Sequence, residues 1–409
     1  MARGEEPLLA RRPSSHNDER ATEEDALLTG QRVDRRPGTA SRWARYREIA
    51  LFTWGLIATA AVIVLAVAYQ HQTPPEPSKP ETHGQRPSGK RNLIFMVSDG
   101  MGPTSLALTR GYRQYVDALE WNDTLVLDKH FIGNSRTRSS NSLVTDSAAG
   151  ATAFSCGQKS YNGAISVTPD HSPCGSVMEA AKRAGYTTGL VVTTRITDAT
   201  PACFASHVRT RAMEDQIADQ LLGNGPLGRS VDLMLGGGRC HFLPNTIAGG
   251  CRADGRDLIQ QADEHDWTYI SSRKDFDALH LGSSVKLPLL GLFSPTDIPF
   301  EIDRRHVDAE YPSLEEMAKT ALRALGDATK DSDQGFFLMI EGSRIDHAGH
   351  NNDPAAQVHE VLAYDKAMQA VLDFIEKDDT EGLMVATSDH ETGGLATARR
   401  KFILVCSSS

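Results

Sequence analysis

The apolar residues of this chain fall into one long run near the start and many short runs after it. The long run, Ile49 to Tyr69 (IALFTWGLIATAAVIVLAVAY), has 21 residues and no charge. As a helix it reaches about 31 Å, the thickness of one hydrocarbon core, which predicts a single transmembrane helix. From Asn92 onward the runs are short, and helical patterns separate them. NLIFMVS (92–98) reads as a buried strand, followed by a helix over Thr104 to Tyr115. Small residues after Thr145 (DSAAGATA) allow a helix to pack very close to its neighbours. Ser176 to Arg183 reads as a helix closed by Gly185, and Thr188 to Thr193 and Val231 to Leu235 as strands. Ser313, with Glu316 three residues on, starts a helix to about Leu325. Gly335 to Ile340 is a strand, Ala355 to Lys377 a long amphipathic helix, and Leu383 to Thr387 a further strand. This βαβ rhythm predicts an α/β fold, a three-layer sandwich around a central, mostly parallel sheet. Residues 239 to 311 are richer in turns and read as an elaboration on that sheet.

The polar stretches set the domain organisation. Residues 1–48 carry ten arginines against nine acids and few apolar anchors, so they read as a disordered tail. Arg32, Arg35, Arg36, Arg42, Arg45 and Arg47 crowd the N-terminal flank of the apolar run, and no Lys or Arg follows it until Lys79. The positive flank stays in the cytosol, which predicts a type II single-pass protein with its main domain lumenal or extracellular. Within the tail, Glu23, Glu24 and Asp25 precede Leu27-Leu28. That pattern resembles a dileucine signal for a sorting adaptor, and chance is the bland alternative. Residues 70–90 hold five prolines and read as an extended linker. The predicted catalytic part is then 91–409.

Composition narrows the function classes. The 409 residues carry a net charge of −10, which argues against a nucleic-acid binder. Six cysteines are too few for a disulfide scaffold. On the oxidising side of a membrane some can pair, and Cys240 with Cys251 is the best candidate. Cys156, Cys174 and Cys203 can pair or stay buried. Asn122-Asp123-Thr124 is a sequon, which predicts an N-glycan.

Three strands deliver acids at or near their C-terminal tips: Asp99, Glu341 and Asp389. Open α/β sheets present their ligands there. One such acid is an ordinary turn residue. Three of them, joined by His347 and His350 after Asp346 and by His390 after Asp389, point to a metal site. Imidazole with carboxylate suits zinc, and carboxylate, hydroxyl and water suit magnesium.

Taken together, VSDGMG (97–102), TDSAAGATA (145–153), TDATPA (197–202), EGSRIDHAGH (341–350) and SDHETGG (388–394) resemble the alkaline phosphatase family over Asn92 to Leu395. The anchor and short tail look like the fungal vacuolar, membrane-anchored branch. The resemblance implies metal-dependent hydrolysis of small phosphate monoesters through a phosphoserine, two Zn2+ and one Mg2+ per site, homodimers and a place in the vacuole membrane. It implies Ser147 as nucleophile and Arg211 as the arginine that grips phosphate, with Arg209 its near competitor. One zinc would lie with Asp99, Asp389 and His390, where it activates the serine. The other would lie with Asp346 and His350. Magnesium would lie with Asp99, Thr200 and Glu341, its water held by Asp198. His347 stands where part of the family has a lysine, and Asp198 where part has a histidine. A sulfatase would need a Cys-x-Pro-x-Arg-like site, absent here, and the diesterases of the wider superfamily typically use a threonine nucleophile.

The family pattern also places one more zinc-ligand histidine well beyond SDHETGG. After Leu395 this chain reads ATARRKFILVCSSS, without histidine. The expectation is a zinc site at Asp346 and His350 lacking its third protein ligand. The alternative reading is thus a catalytically impaired, membrane-anchored phosphatase fragment.

Overall fold

The computed structural model describes residues 42–72 and 89–397. The tail with Leu27-Leu28, most of the proline-rich linker and the segment holding Cys406 lie outside the described residues. The chain divides into two units, 1–86 and 87–409.

The described part of the first unit is one helix, α1 (Arg42–Gln72). It is long and apolar enough over Tyr46–Leu65 to cross a membrane, and no residue of that span is buried within the protein. Its threonine hydroxyls bond within the helix. Thr53 Oγ1 donates to the Ile49 carbonyl at 2.7 Å and Thr59 Oγ1 to that of Gly55 at 2.8 Å. Such back-bonding satisfies polar groups that lipid cannot.

The second unit is built on a seven-stranded sheet, every pairing parallel. The strands are β1 (Arg91–Ser98), β2 (Thr187–Arg195), β3 (Leu233–Gly237), β4 (Thr268–Ile270), β5 (Leu289–Leu292), β6 (Phe336–Gly342) and β7 (Glu381–Thr387). Their spatial order is β4-β5-β3-β2-β6-β1-β7. β4 and β5 come from the region read as an elaboration; it widens the sheet itself.

Both faces are covered, and period-two alternation assigns each side chain its layer. Phe336, Leu338 and Ile340 of β6 enter one apolar core, whereas Phe337 and Met339 enter the other. The first core is roofed by α6 (Leu314–Ala328) and α8 (Pro354–Lys377). The second is roofed by α3 (Ser147–Cys156), α4 (Val177–Arg183) and α5 (Ala199–Ala205). Capping boxes start α4 at Ser176–Glu179 and α6 at Ser313–Glu316. The remaining helices named here are α2 (Pro103–Val116) and α7 (Arg344–His350). β7 is an edge strand whose Leu383 and Val385 are about half exposed.

The register aligns the acids. Val97 of β1 lies opposite Glu341 of β6 on one side and Thr387 of β7 on the other. Asp99 and Asp389 each follow two residues on, so all three acids reach the carboxyl end of the sheet.

Cys240 pairs with Cys251, as expected, and Cys156 pairs with Cys174. Cys203 is free and buried, and burial pushes its thiol up to about 12. Cys240, His241 and Cys251 lie within ligand distance of one another, but the disulfide uses both sulfurs. Asn122 is exposed.

Candidate active site

Ser147 is the first residue of α3, and Asp146 caps that helix. Asp146 Oδ1 accepts from Ala149 N at 2.9 Å and Oδ2 from Gly163 N at 2.8 Å. Gly150, one turn on, faces Asp389; a Cβ there would sit 3.2 Å from the Asp389 Cβ and carbonyl. The missing side chain lets α3 approach the sheet edge closely. Ser147, only 3% exposed, donates its hydroxyl to Asp99 Oδ1 at 3.2 Å and lies 3.2 Å from His390 Nε2.

Asp99, Asp389 and His390 converge, with ligand atoms within 4.8 Å of one another. Asp389 Oδ1 accepts from the Gly100 and His390 amides, while its buried Oδ2 has no hydrogen-bond partner. Gly100 has φ +68°, and a Cβ there would fall 2.5 Å from Asp346 Oδ1. Asp346 lies on α7, one turn from His350, whose Nε2 is 3.2 Å from Asp346 Oδ2. Thr392 donates to Asp346 Oδ1 at 2.6 Å. Among the described residues no third His, Cys, Asp or Glu joins Asp346 and His350 within ligand distance.

Glu341 is buried and accepts from Ser343 Oγ at 2.6 Å. The Thr200 hydroxyl is buried without a partner. Burial, then the neighbouring acids Asp389, Asp346 and Glu341, push the Asp99 carboxyl well above its ordinary range. Burial likewise raises Asp389, and it pushes Glu341 up to about 8. Clustered buried carboxylates with orphaned oxygens fit bound divalent cations, which supply the missing positive charge.

The opposite side of the site already holds its cations. Arg211 Nη2 donates to Asp198 Oδ1 at 2.8 Å, and Nη1 lies 3.6 Å from Asp146 Oδ2. Burial would raise Asp198, but His347, Arg211 and Arg195 hold it far below the usual carboxylate range. His347 faces Asp198 and Asp297 at 3.7 and 3.5 Å. It therefore belongs to the arginine side rather than to Asp346 and His350. The competitor Arg209 offers Tyr161 its backbone carbonyl and forms no ion pair among the described residues. A cavity of about 350 Å³ opens beside His390 and Glu391.

Of the site residues named from the sequence, Ser147 thus lies with Asp99, Asp389 and His390, Asp346 with His350, and Arg211 and His347 with Asp198. Sequence reasoning did not single out Asp146, Arg195, Glu214 or Asp297. The adjacency of Asp146 to Ser147, at a helix start, was the available signal for the first.

A family model described as alkaline phosphatase matches residues 90–407. The chain is 62% identical over 322 residues to the repressible alkaline phosphatase of Saccharomyces cerevisiae, covering 76% of this chain and 56% of that protein. Its fold matches a cold-active alkaline phosphatase from a Shewanella species with a TM-score of 0.64 at 33% identity, covering 75% of this chain and 69% of that one. A histidine-to-aspartate mutant of TAB5 alkaline phosphatase, which holds magnesium, matches with a TM-score of 0.62 at 33% identity, covering 75% and 80%. TAB5 is an Antarctic bacterium. The chain spans little more than half the length of the yeast protein.

Proposed function

We propose that this chain, which belongs to the alkaline phosphatase family, hydrolyses small phosphate monoesters through a phosphoserine at Ser147. The observation that carries this reading is the placing of Ser147. Its hydroxyl sits at a helix N-terminus between Asp99 and His390, and the residue before it, Asp146, lies beside Arg211.

Ser147 Oγ forms a bond to phosphorus and releases its proton to water, as the bond from phosphorus to the ester oxygen breaks and the departing oxygen keeps the electron pair and takes a proton from water. Asp99 accepts the hydroxyl hydrogen bond and so orients the attacking lone pair. The N-terminus of α3 favours the negative charge that develops there. Arg211 presents N–H groups that Asp198 and Asp146 do not use, in a fork that matches two phosphate oxygens. Water then attacks the phosphoserine in line, releasing phosphate and restoring the hydroxyl.

The family is generally zinc- and magnesium-dependent. Asp99, Asp389 and His390 would hold one zinc, with Asp346 and His350 contributing to a second. Asp99, Thr200 and Glu341 would hold magnesium, with Asp198 beside it. Bound there, the cations supply Lewis acidity and the charge needed to offset phosphate.

The arginine-rich flank of α1 faces the cytosol in this reading, and the catalytic unit faces a lumen, that of the vacuole. Asn122 carries a glycan, the chain pairs as a homodimer, and Leu27-Leu28 engages a sorting adaptor.

The test uses the full chain in detergent with zinc and magnesium. It should release phosphate from an aryl phosphate and, quenched in acid, retain labelled phosphate on Ser147. Burst release of wild-type size by Ser147→Ala would refute the assignment.

A further inference from the structure

We propose that Arg195 is a positioning residue for phosphate capture: it fixes the Asp198 carboxylate so that Arg211 is aimed at the phosphate over Ser147. The proposal rests on the phosphatase reading and adds to it a residue that never reaches the substrate.

Arg195 ends β2, and each of its three guanidinium nitrogens meets a different carboxylate. Nη2 donates to Asp198 Oδ2 at 3.2 Å, Nε to Glu214 Oε2 at 2.9 Å and Nη1 to Asp297 Oδ1 at 2.8 Å. Its backbone amide also donates to Asp297 Oδ1, at 3.0 Å, so main chain and side chain are tied to one acceptor. Glu214 is held in turn by Thr197 Oγ1 at 2.6 Å and faces His241 at 3.2 Å. The far end of the arginine is therefore anchored, and its near end can act as a fixed stop.

The two oxygens of Asp198 divide the work. Oδ1 takes Arg211 and the Ala199 amide, at 2.8 and 2.7 Å. Oδ2 takes Arg195. Without the second contact the carboxylate could rotate toward His347, its remaining neighbour at 3.7 Å. Arg211 would then rely on Asp146, at 3.6 Å, which is beyond hydrogen-bond range. A single ammonium cannot replace this fork, because three acceptors approach from three directions.

The experiment measures the Kd of inorganic phosphate by calorimetry, beside KM and kcat for an aryl phosphate, on the metal-loaded full chain. Losing a charge-assisted contact that holds the clamp should raise the phosphate Kd about tenfold in Arg195→Gln and about threefold or more in Arg195→Lys. KM should rise with Kd, by more than kcat falls. Placed on Arg211→Ala, Arg195→Gln should add little, since the clamp it serves is gone. If Arg195→Gln does not fold, Asp297→Asn, which removes an anchor of Arg195, takes its place with the same expectations. Wild-type phosphate affinity in Arg195→Lys would show that charge alone acts and would overturn the proposal. So would a full additive loss on Arg211→Ala. A wild-type chain that binds no phosphate would instead overturn the phosphatase reading, and this proposal with it.

Discussion

A histidine away from the site yields a pH dependence that can be worked out from geometry. The His207 ring lies between two acceptors: Nδ1 is 2.8 Å from the Ser166 carbonyl, and Nε2 is 2.7 Å from Glu179 Oε1. A neutral imidazole donates from one nitrogen only, so satisfying both requires the imidazolium. Burial would lower the histidine pKa, but the bonds to Glu179 and Ser166 outweigh it and raise the pKa above its ordinary 6.5. Burial would raise Glu179, but the His207 bond and the Ser176 cap outweigh it and lower the carboxyl below 4.5. The signs follow. The histidine contribution is fully present below the unfolded pKa of 6.5 and is lost as pH rises through the raised folded value. The glutamate contribution is present above 4.5 and is lost as pH falls through the lowered one. Deprotonating His207 leaves one acceptor without its donor, which costs about 1.5–3 kcal/mol for a bond to a charged group. His207→Ala should therefore be less stable than wild type near pH 6 by about 3 kcal/mol, counting both bonds. That gap should shrink by about 2 kcal/mol toward pH 9. Urea unfolding of both proteins at saturating zinc and magnesium measures it, because metal-linked terms cancel in the difference. A gap that stays constant from pH 6 to pH 9 would show that folding does not raise the His207 pKa and would refute the reasoning.

Gly100→Ala should weaken zinc binding in calorimetry and destabilise the domain by about 1–3 kcal/mol, since the new Cβ meets Asp346 at a left-handed backbone position. Wild-type affinity would show that the loop yields freely. Cys240→Ser opens a loop with a sequence separation of 11. It should lower the unfolding free energy by about 2–3 kcal/mol in urea without altering the phosphate Kd, and an unchanged urea midpoint would contradict it. Chelation of the full chain should weaken phosphate binding at least about tenfold, restored by zinc and magnesium; equal affinity with and without cations would contradict it.

The strands that position Asp99 and Glu341 were legible because they lie inside the sheet and are largely buried. NLIFMVS and FFLMI are continuous apolar runs ending in an acid, and the structure places them side by side as β1 and β6. β4 was not legible. It has three residues, only Ile270 of them buried, too few for a period to appear. β5 was obscured by the glycine and prolines around Leu289–Leu292. The chemistry divides the same way. Ser147, Asp389 and His390 sit in compact motifs, so spacing and resemblance together singled them out. Arg195, Glu214 and Asp297 are single residues separated by up to 102 positions, and only the fold brings them together. His347 was noticed as a variable position, yet its neighbours in sequence suggested the wrong company. One residue on from Asp346, its side chain points about 100° round the helix, and the ring meets Asp198 and Asp297 instead.

Charge counting explains why the two sides of the site need each other. Arg211 is the guanidinium proposed to grip the phosphate, and Asp198 and Asp146 already lie against it. Two carboxylates for one guanidinium leave no net positive charge to attract a phosphate dianion. On the other side burial raises the pKa of Asp99, Asp389 and Glu341, and neighbouring acids raise each of them further. Bare, that side would repel the dianion when ionised and offer it only weak donors when protonated. In the proposed reading, directional binding comes from the arginine, whose fork is aimed through Asp198. Net attraction has to come from cations among the acids. The acids would be unfavourable for folding without cations, and the arginine would be neutralised in its grip on phosphate without them. Loading of the acid side therefore governs both the stability of the sheet edge and the affinity of the clamp. Asp198, which bonds Arg211 and contributes to the raised pKa values of Asp99 and Glu341, is the residue through which the two are linked.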